Sequence, residues 1–272
     1  ILLEDTPTNI KKVERKQAPD YLSIDAILEF IELVNPKDLD IFNKTIELNL
    51  AIAKEGLNTK YGLCVGRNIL HTNKDISSEE VQSIRDYALM LTTAASDARM
   101  GGSTLPVMAN TGSGNQGLTA SLPIIAYAEK LKKPHYELLR ALALGHLVPI
   151  HMKKKLGPLS ALCGVLLAAT GAACGMTYLQ GGDSNAVKRA IKHMAANITG
   201  MLCDGAKPGC SLKVFTGIAA AILASELAIE EQIEALPDGI VDFDVEKTIA
   251  NIGIIGSQGL LMTDKMIIDI MQ

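Results

Sequence analysis

The sequence predicts an all-α fold, built as a single large helical domain. Apolar residues recur at intervals of three and four from residue 23 onward, which is the period of helices that bury one face. Hydrophobic residues make up 48% of the 272 positions and charged residues 21%, so the chain can bury a substantial core. Because no repeat or low-complexity linker interrupts this pattern, residues 21–272 are predicted to form one domain.

The first twenty residues differ from the rest. The segment "ILLEDTPTNIKKVERKQ" alternates weakly, with Val13 between charged residues, and has no helical period. Residues 1–20 are therefore expected to be a short extended remnant of a missing N-terminal domain. The chain begins at Ile1 rather than Met, so we interpret it as the C-terminal part of a longer protein.

The helices can be placed in order from their caps and periods. Ser23 is the expected N-cap of "IDAILEFIELV", and the next periodic stretch is expected to end at Gly56. A capping box at residues 77–80 opens a helix that runs to "DARMGG". Further helices are predicted within residues 118–133, 135–155, 185–202, 212–229 and 244–271. Their many Gly and Ala residues predict close helix crossings and some unwound turns.

Residues 156–182 raise the alternative of a membrane segment. This stretch holds no charged residue and is long enough to span a bilayer. It consists mostly of small residues, however, which suit buried helices that pack closely together. We therefore expect no membrane partner, and a membrane component is the less favoured class.

Charge and composition also argue against nucleic-acid binding. The formal net charge is −4, there is no Trp, and aromatic residues make up 4% of the chain, so basic surface and stacking side chains are missing. The five cysteines are an odd number without the dense spacing of a disulfide scaffold. They favour a reducing, cytoplasmic location in which the thiols are free or bind a metal.

The cysteines suggest a soft metal site. Cys203 and Cys210 lie in "MLCDGAKPGC", which is predicted to be a loop because it contains two turn signals. Cys163 and Cys174 would lie about 16 Å apart on one helix, so at most one of them can join the loop pair. Three thiolates suit an iron–sulfur cluster with one iron open to substrate. The alternatives are inert buried thiols and a non-catalytic domain stabilised by a metal.

A second candidate site lies in "ANTGSGNQG", residues 109–117, ahead of a helix expected to begin near Leu118. A Gly-rich turn before a helix directs free N–H groups and the positive end of the helix dipole at an anion. Ser113, Asn115 and Gln116 add neutral donors, so this segment is a candidate for binding a carboxylate or phosphate. An ordinary capped loop is the alternative.

Arg99 is a weaker candidate for the same role. It lies in "SDARMGGS", where Asp97 and Arg99 close a helix beside two glycines. The guanidinium could bind a carboxylate, and a structural ion pair with Asp97 is the alternative. The histidines show no spacing typical of a zinc enzyme, so zinc catalysis is not expected.

The motifs "DARMGG", "NTGSGNQG", "SALCG" and "MLCDGAKPGC", with the tail "DGIV...NIG.IG..G...TD..I..IM", occur in a specific order. Together they make the chain from about Tyr21 similar to the L-cysteine desulfidase family, whose catalytic domain resembles the serine dehydratase α-chain. The resemblance implies an all-α domain with a 4Fe-4S cluster. It implies that Cys163, Cys203 and Cys210 hold this cluster, whereas Cys64 and Cys174 do not.

The resemblance further implies β-elimination from a small amino acid. L-cysteine would lose sulfide and end as pyruvate and ammonia, and L-serine would lose water in the same way. The substrate carboxylate would bind at Ser113, Asn115 and Gln116, with Arg99 in support. The family's base lies in a Gly-Cys-Thr-Glu-Pro segment that this sequence does not contain. The catalytic base is therefore expected in the missing N-terminal part of the same protein, and a homo-oligomer is compatible with the sequence.

Overall fold

The structure, a computed structural model, describes residues 21–72, 81, 83–157, 160–230 and 237–272. These residues form a single helical domain with eleven α-helices and no β-strand, which confirms the predicted all-α class. Residues 1–20, with the expected N-terminal remnant, lie outside the described residues. The expected capping box at residues 77–80 also lies outside them.

The helices follow one another along the chain with short connections. The first four are α1 (Ile24–Leu33), α2 (Ile41–Asn58), α3 (Val65–Thr72) and α4 (Ile84–Met100), with a 3₁₀ turn at Pro36–Leu39. The next five are α5 (Gly114–Lys130), α6 (His135–Leu156), α7 (Gly164–Leu179), α8 (Ser184–Ile198) and α9 (Cys210–Ile229). The last two, α10 (Val245–Ile254) and α11 (Leu261–Met271), are separated by a π-helical turn at Ile255–Gly259.

Helix α7 lies at the centre of the domain. It packs against α5, α6, α8 and α9, and 14 of its 16 residues are buried. It contains no charged residue, and its Thr170 and Thr177 hydroxyls each donate to a main-chain carbonyl one turn earlier at 2.8 Å. The burial of α7 therefore desolvates no charged side chain, and the hydroxyls of both threonines remain hydrogen-bonded.

The proposed membrane stretch, residues 156–182, is divided in the fold. Its helical part, α7, has 16 residues, fewer than the about 20 needed to cross a bilayer, and it is enclosed by other helices. In the described part of the chain, α9 is the one helix long and apolar enough to cross a membrane, and half of it is buried. A core helix of a globular domain can be as long and as apolar as α9, so α9 is weak evidence for membrane insertion.

Several helix boundaries test the sequence analysis. Ser23 is confirmed as the N-cap of α1, since its side chain accepts a hydrogen bond from the Ala26 amide at 3.1 Å. The prediction that Gly56 ends α2 is wrong, because this helix continues to Asn58. A Cβ on Gly56 would lie 2.0 Å from the Ala94 carbonyl oxygen, so the glycine permits close approach of α4.

Two further predicted helices are shorter or interrupted. The helix predicted within residues 185–202 ends at Ile198, and the following residues bond to the segment before α7. The helix predicted within residues 244–271 is divided by the π-helical turn. There the Ser160 hydroxyl donates to the Gly256 carbonyl at 2.7 Å, which ties the turn to the same segment before α7.

Candidate active site

Helix α5 begins four residues earlier than the sequence analysis predicts, at Gly114. Ser113 is its N-cap and accepts a hydrogen bond from the Gln116 amide. Asn115 and Gln116 therefore lie in the first turn, where main-chain N–H groups have no acceptor within the helix. The preceding turn is strained, because Thr111 adopts a left-handed φ of 47°. The Thr111 hydroxyl donates to Gln116 Oε1 at 2.6 Å and so fixes the side chain amide.

A buried histidine anchors this turn to α6. Asn110 Nδ2 contacts His146 Nδ1 at 3.0 Å and donates to the His146 carbonyl oxygen at 3.1 Å. Burial lowers the pKa of His146 to about 4, so the ring is neutral at neutral pH. Its Nδ1 then accepts the Asn110 hydrogen bond, and its Nε2 carries the proton.

Two chain segments pair to place Cys163 beside Cys203. The Cys163 amide donates to the Met201 carbonyl at 2.9 Å, and the Cys203 amide donates to the Ala161 carbonyl at 2.7 Å. A hydrogen bond from the Cys163 thiol lowers the pKa of Cys203 to about 6. The same hydrogen bond, with burial, raises the pKa of Cys163. Cys163 is also the N-cap residue of α7.

The segment between Cys203 and Cys210 is the loop that the sequence predicts. The Asp204 carboxylate is ion-paired with Lys207 and Lys213, and these bonds lower the pKa of Asp204 to about 2. Cys210 is the first residue of α9, and its sulfur accepts a hydrogen bond from the Lys207 amide at 3.5 Å. The loop thus presents one thiol at each end.

The α5 turn and the thiol segments enclose one cavity of about 370 Å³. It is lined by all seven residues that the sequence analysis singles out as binding groups or metal ligands: Arg99, Ser113, Asn115, Gln116, Cys163, Cys203 and Cys210. A Cβ on Gly164 would lie 2.5 Å from Gln116 Nε2, so a glycine at the start of α7 permits this contact. The two sites predicted separately are therefore two walls of one cavity.

Arg99 supports the α5 wall of the cavity. Its Nη1 donates to Asn115 Oδ1 at 3.3 Å. This contact engages the oxygen of the Asn115 side chain and does not involve its amino group. Asp97, the alternative partner, instead accepts a hydrogen bond from the Gly66 amide at 3.2 Å, near the start of α3. Burial raises the pKa of Asp97, although hydrogen bonds from Ser211 and from main-chain amides oppose this shift.

The cavity is electrostatically positive. Helices α5, α7 and α9 all begin at it, so the positive ends of three helix dipoles meet there. Arg99, Lys153 and Lys213 add cationic side chains, and no Asp or Glu occurs among the described residues that line the cavity. This arrangement favours anions, both thiolates of the protein and a carboxylate of a ligand.

Sequence reasoning missed Lys153 and Lys213. Lys153 belongs to a basic run in the last turn of α6, which is a common feature of helix C-termini. Lys213 had a usable signal: a helix that begins at Cys210 places a residue three positions later on the same face. That signal depends on knowing the start of α9.

The three thiols line the cavity without forming a site for a single metal ion. Over the described residues, no three His, Cys, Asp or Glu side chains form a group that could hold a single metal ion. A centre with several metal atoms imposes a wider spacing, because each thiolate binds a different atom. The remaining cysteines lie elsewhere: Cys174 is fully buried in α7, which raises its thiol pKa, and Cys64 lies just before α3.

The fold and the cavity define a class of protein: an all-helical domain whose cavity is lined by free thiols, cationic side chains and the first turns of three helices. The chain belongs to the serine dehydratase alpha chain family, whose family model matches residues 22–269. This membership confirms the resemblance drawn from the motifs.

Relatives from several bacteria carry the same domain. A UPF0597 protein of Bacteroides thetaiotaomicron is 44% identical over 259 residues, which cover 95% of this chain and 60% of that protein. A UPF0597 protein of Phocaeicola vulgatus is 42% identical over 273 aligned positions, which cover 100% of this chain and 62% of that protein. The chain thus spans about three fifths of the length of these relatives. No solved structure shows significant similarity to it.

Proposed function

We propose that residues 21–272 form the catalytic domain of an iron–sulfur-dependent lyase. Its reaction is β-elimination of hydrogen sulfide from L-cysteine, and water then hydrolyses the tautomerised aminoacrylate product to pyruvate and ammonia. The observation that carries this proposal is the single cavity in which three thiols face the start of α5. Family membership supports dehydratase-like chemistry, and the resemblance to L-cysteine desulfidases supports sulfide as the leaving group.

The donor set fits a 4Fe-4S cluster held by Cys163, Cys203 and Cys210. Thiolates are the usual ligands of such clusters, and the lowered pKa of Cys203 favours its thiolate form. Cys163 and Cys210 lie at helix N-termini, and both line the same cavity as Cys203. When bound, the cluster would supply a Lewis-acidic iron for the leaving group.

The start of α5 would bind the substrate carboxylate. Asn115 Oδ1 accepts from Arg99 and Gln116 Oε1 accepts from Thr111, so both side chains have their oxygen engaged. Their amino groups are therefore available to an acceptor in the cavity. Together with main-chain N–H groups of the first turn, they can bind a carboxylate without titrating, and they orient the rest of the substrate toward the thiols.

The base that removes the α-proton is expected outside this chain. The relatives contain a further two fifths of their length beyond the shared domain, and we propose that this part supplies the base. The isolated chain should then release little pyruvate even with an intact cluster. Turnover by the isolated chain at the rate of the complete protein would place the base within these 272 residues.

L-serine is the second candidate substrate, favoured by the description of the family. Its carboxylate would bind at the same groups, and water would replace sulfide as the leaving group. A cytoplasmic location accompanies either reaction, since all five cysteines are free and a reducing compartment keeps them so.

Anaerobic reconstitution followed by iron and acid-labile sulfide analysis tests the ligand set. Replacing Cys163, Cys203 or Cys210 by Ser should remove most of the bound iron. Cys64→Ser and Cys174→Ser are matched controls that should retain it, because neither residue lines the cavity. Equal iron retention in all five variants would contradict the proposed ligands.

The substrate is tested with the complete protein by measuring pyruvate from L-cysteine and from L-serine. Pyruvate from L-cysteine, with equimolar sulfide, is the expected result. Pyruvate from L-serine but not from L-cysteine would identify L-serine as the substrate. Release from neither, with iron still bound, would favour a structural role for the metal.

A further inference from the structure

Lys153 is a cation of the cavity wall that has no assigned role. It lies in the last turn of α6, is half-buried, and lines the same cavity as Ser113 and Asn115. No carboxylate or carbonyl oxygen of the described residues accepts a bond from its ammonium group. Lys213, by contrast, is ion-paired with Asp204, and Arg99 donates to Asn115.

The position of Lys153 places it beside the α5 turn. A second cavity of about 400 Å³ is lined by Thr111, Ile150, Lys153, Lys154 and Gly157. Lys153 therefore lies between this cavity and the thiol-lined one, next to the strained residue of the turn. Burial lowers the pKa of Lys153 because the ammonium loses hydration, and the nearby Cys203 thiolate only partly opposes this shift, so a further anion placed beside the ammonium would stabilise its charge.

A purely structural role does not distinguish Lys153 from its neighbours. Lysines in the last turn of a helix interact favourably with the negative end of the helix dipole, and Lys154 and Lys155 share this position. Only Lys153 of the three lines the thiol-lined cavity. Its contact with that cavity is thus the feature that needs an explanation.

We propose that Lys153 is a substrate-binding residue whose ammonium pairs with the ligand's carboxylate, opposite the first turn of α5. The inference rests on the proposed function and names the substrate class of the same site: small molecules with a free carboxylate. The described lining residues include no Asp or Glu that could pair with the ligand's amino group. Within this chain, the lining therefore offers charged partners to the carboxylate and none to the ammonium of an amino acid.

Two probes separate this role from a general effect on the site. L-cysteine and L-cysteine methyl ester share the thiol and the amino group, but the ester lacks the carboxylate. Binding of each is measured by anaerobic calorimetry on the reconstituted chain itself, which the proposed function expects to release little pyruvate, so that the heat reports binding rather than turnover. Lys153→Met should weaken L-cysteine binding about tenfold to a hundredfold, the range for bonds to charged groups. Binding of the ester should be unchanged or slightly tighter.

Two further variants complete the test. Lys153→Arg keeps the charge and should restore most of the affinity for L-cysteine. Lys154→Met removes the same charge from the same helix outside the thiol-lined cavity and should change neither affinity. Unchanged L-cysteine binding in Lys153→Met, or equal weakening of both probes, would overturn the proposal. Because binding requires no turnover, an absence of pyruvate from the complete protein would count against the proposed function and not against the role of Lys153.

Discussion

The two walls of the cavity are held in place by different forces. The α5 wall, residues 110–116, is anchored by hydrogen bonds between Asn110 and His146, whose exposed fractions are 5% and 7%. Breaking buried hydrogen bonds leaves polar groups without partners, which costs about 1–3 kcal/mol for each group. This wall is therefore formed before any ligand binds.

The thiol loop, residues 203–210, is fixed at Cys203 by a main-chain hydrogen bond and at Cys210 by the start of α9, and surface ion pairs hold the segment between them. The Asp204 side chain is 36% exposed, and its partners Lys207 and Lys213 are 46% and 26% exposed. Ion pairs of this kind contribute about 0–1 kcal/mol. The comparison indicates that the α5 wall is preorganised, whereas the segment between the two loop thiols is held less firmly.

The largest effect is expected from Asn110→Leu. The substitution leaves the His146 ring nitrogen buried without a donor and removes a second hydrogen bond to the helical His146 carbonyl, so the free energy of unfolding should fall by about 3 kcal/mol. Urea denaturation at neutral pH measures this loss. A decrease below about 1 kcal/mol would show that the α5 wall is no more firmly held than the loop.

The pH dependence of stability should show the same anchor. The folded-state pKa of His146, about 4, lies below its ordinary value of 6.5, so the unfolded chain binds the proton first as pH falls. The shift of the His146 pKa contributes at most about 3 kcal/mol to the free energy of unfolding. This contribution is fully present above pH 6.5 and is lost by pH 4. His146→Gln should show a shallower fall over this interval in denaturation curves. If the stabilities of the parent and of His146→Gln fell equally with pH, burial of a neutral His146 ring would be contradicted.

The smallest effect is expected from Asp204→Asn in the thiol loop. The free energy of unfolding should fall by no more than about 1 kcal/mol, and 1 M salt should abolish the difference. Lys44→Met, which breaks the exposed Lys44–Glu47 pair in α2, is a matched control with a similarly small effect. A loss as large as that of Asn110→Leu would mean that the loop is also preorganised.

Most helices were predictable because each carries its own period and caps. The N-cap at Ser23 is an example, since its hydrogen bond joins residues three positions apart. The start of α5 was harder to place, because Gly114 and Asn115 are unfavourable in helices by propensity. Their helical state depends on the Ser113 cap and on tertiary contacts, which override propensity.

The juxtaposition of the two walls could not be read from local patterns. Cys163 and Cys203 are forty residues apart and meet through main-chain bonds between their segments, which have no side-chain signature. The family resemblance supplied these thiols as a set, and the structure places them in one cavity. Lys153 had neither a motif nor a spacing to mark it, because lysines at helix ends are common.

The meeting of three helix starts at one opening has a kinetic consequence. Their field, added to that of the nearby cationic side chains, extends into the solvent over roughly 8 Å at physiological ionic strength. An approaching zwitterion has no net charge, but this field turns its negative end toward the opening. A zwitterionic ligand would therefore enter with its negative end first, and the rate of productive encounter would fall as ionic strength rises.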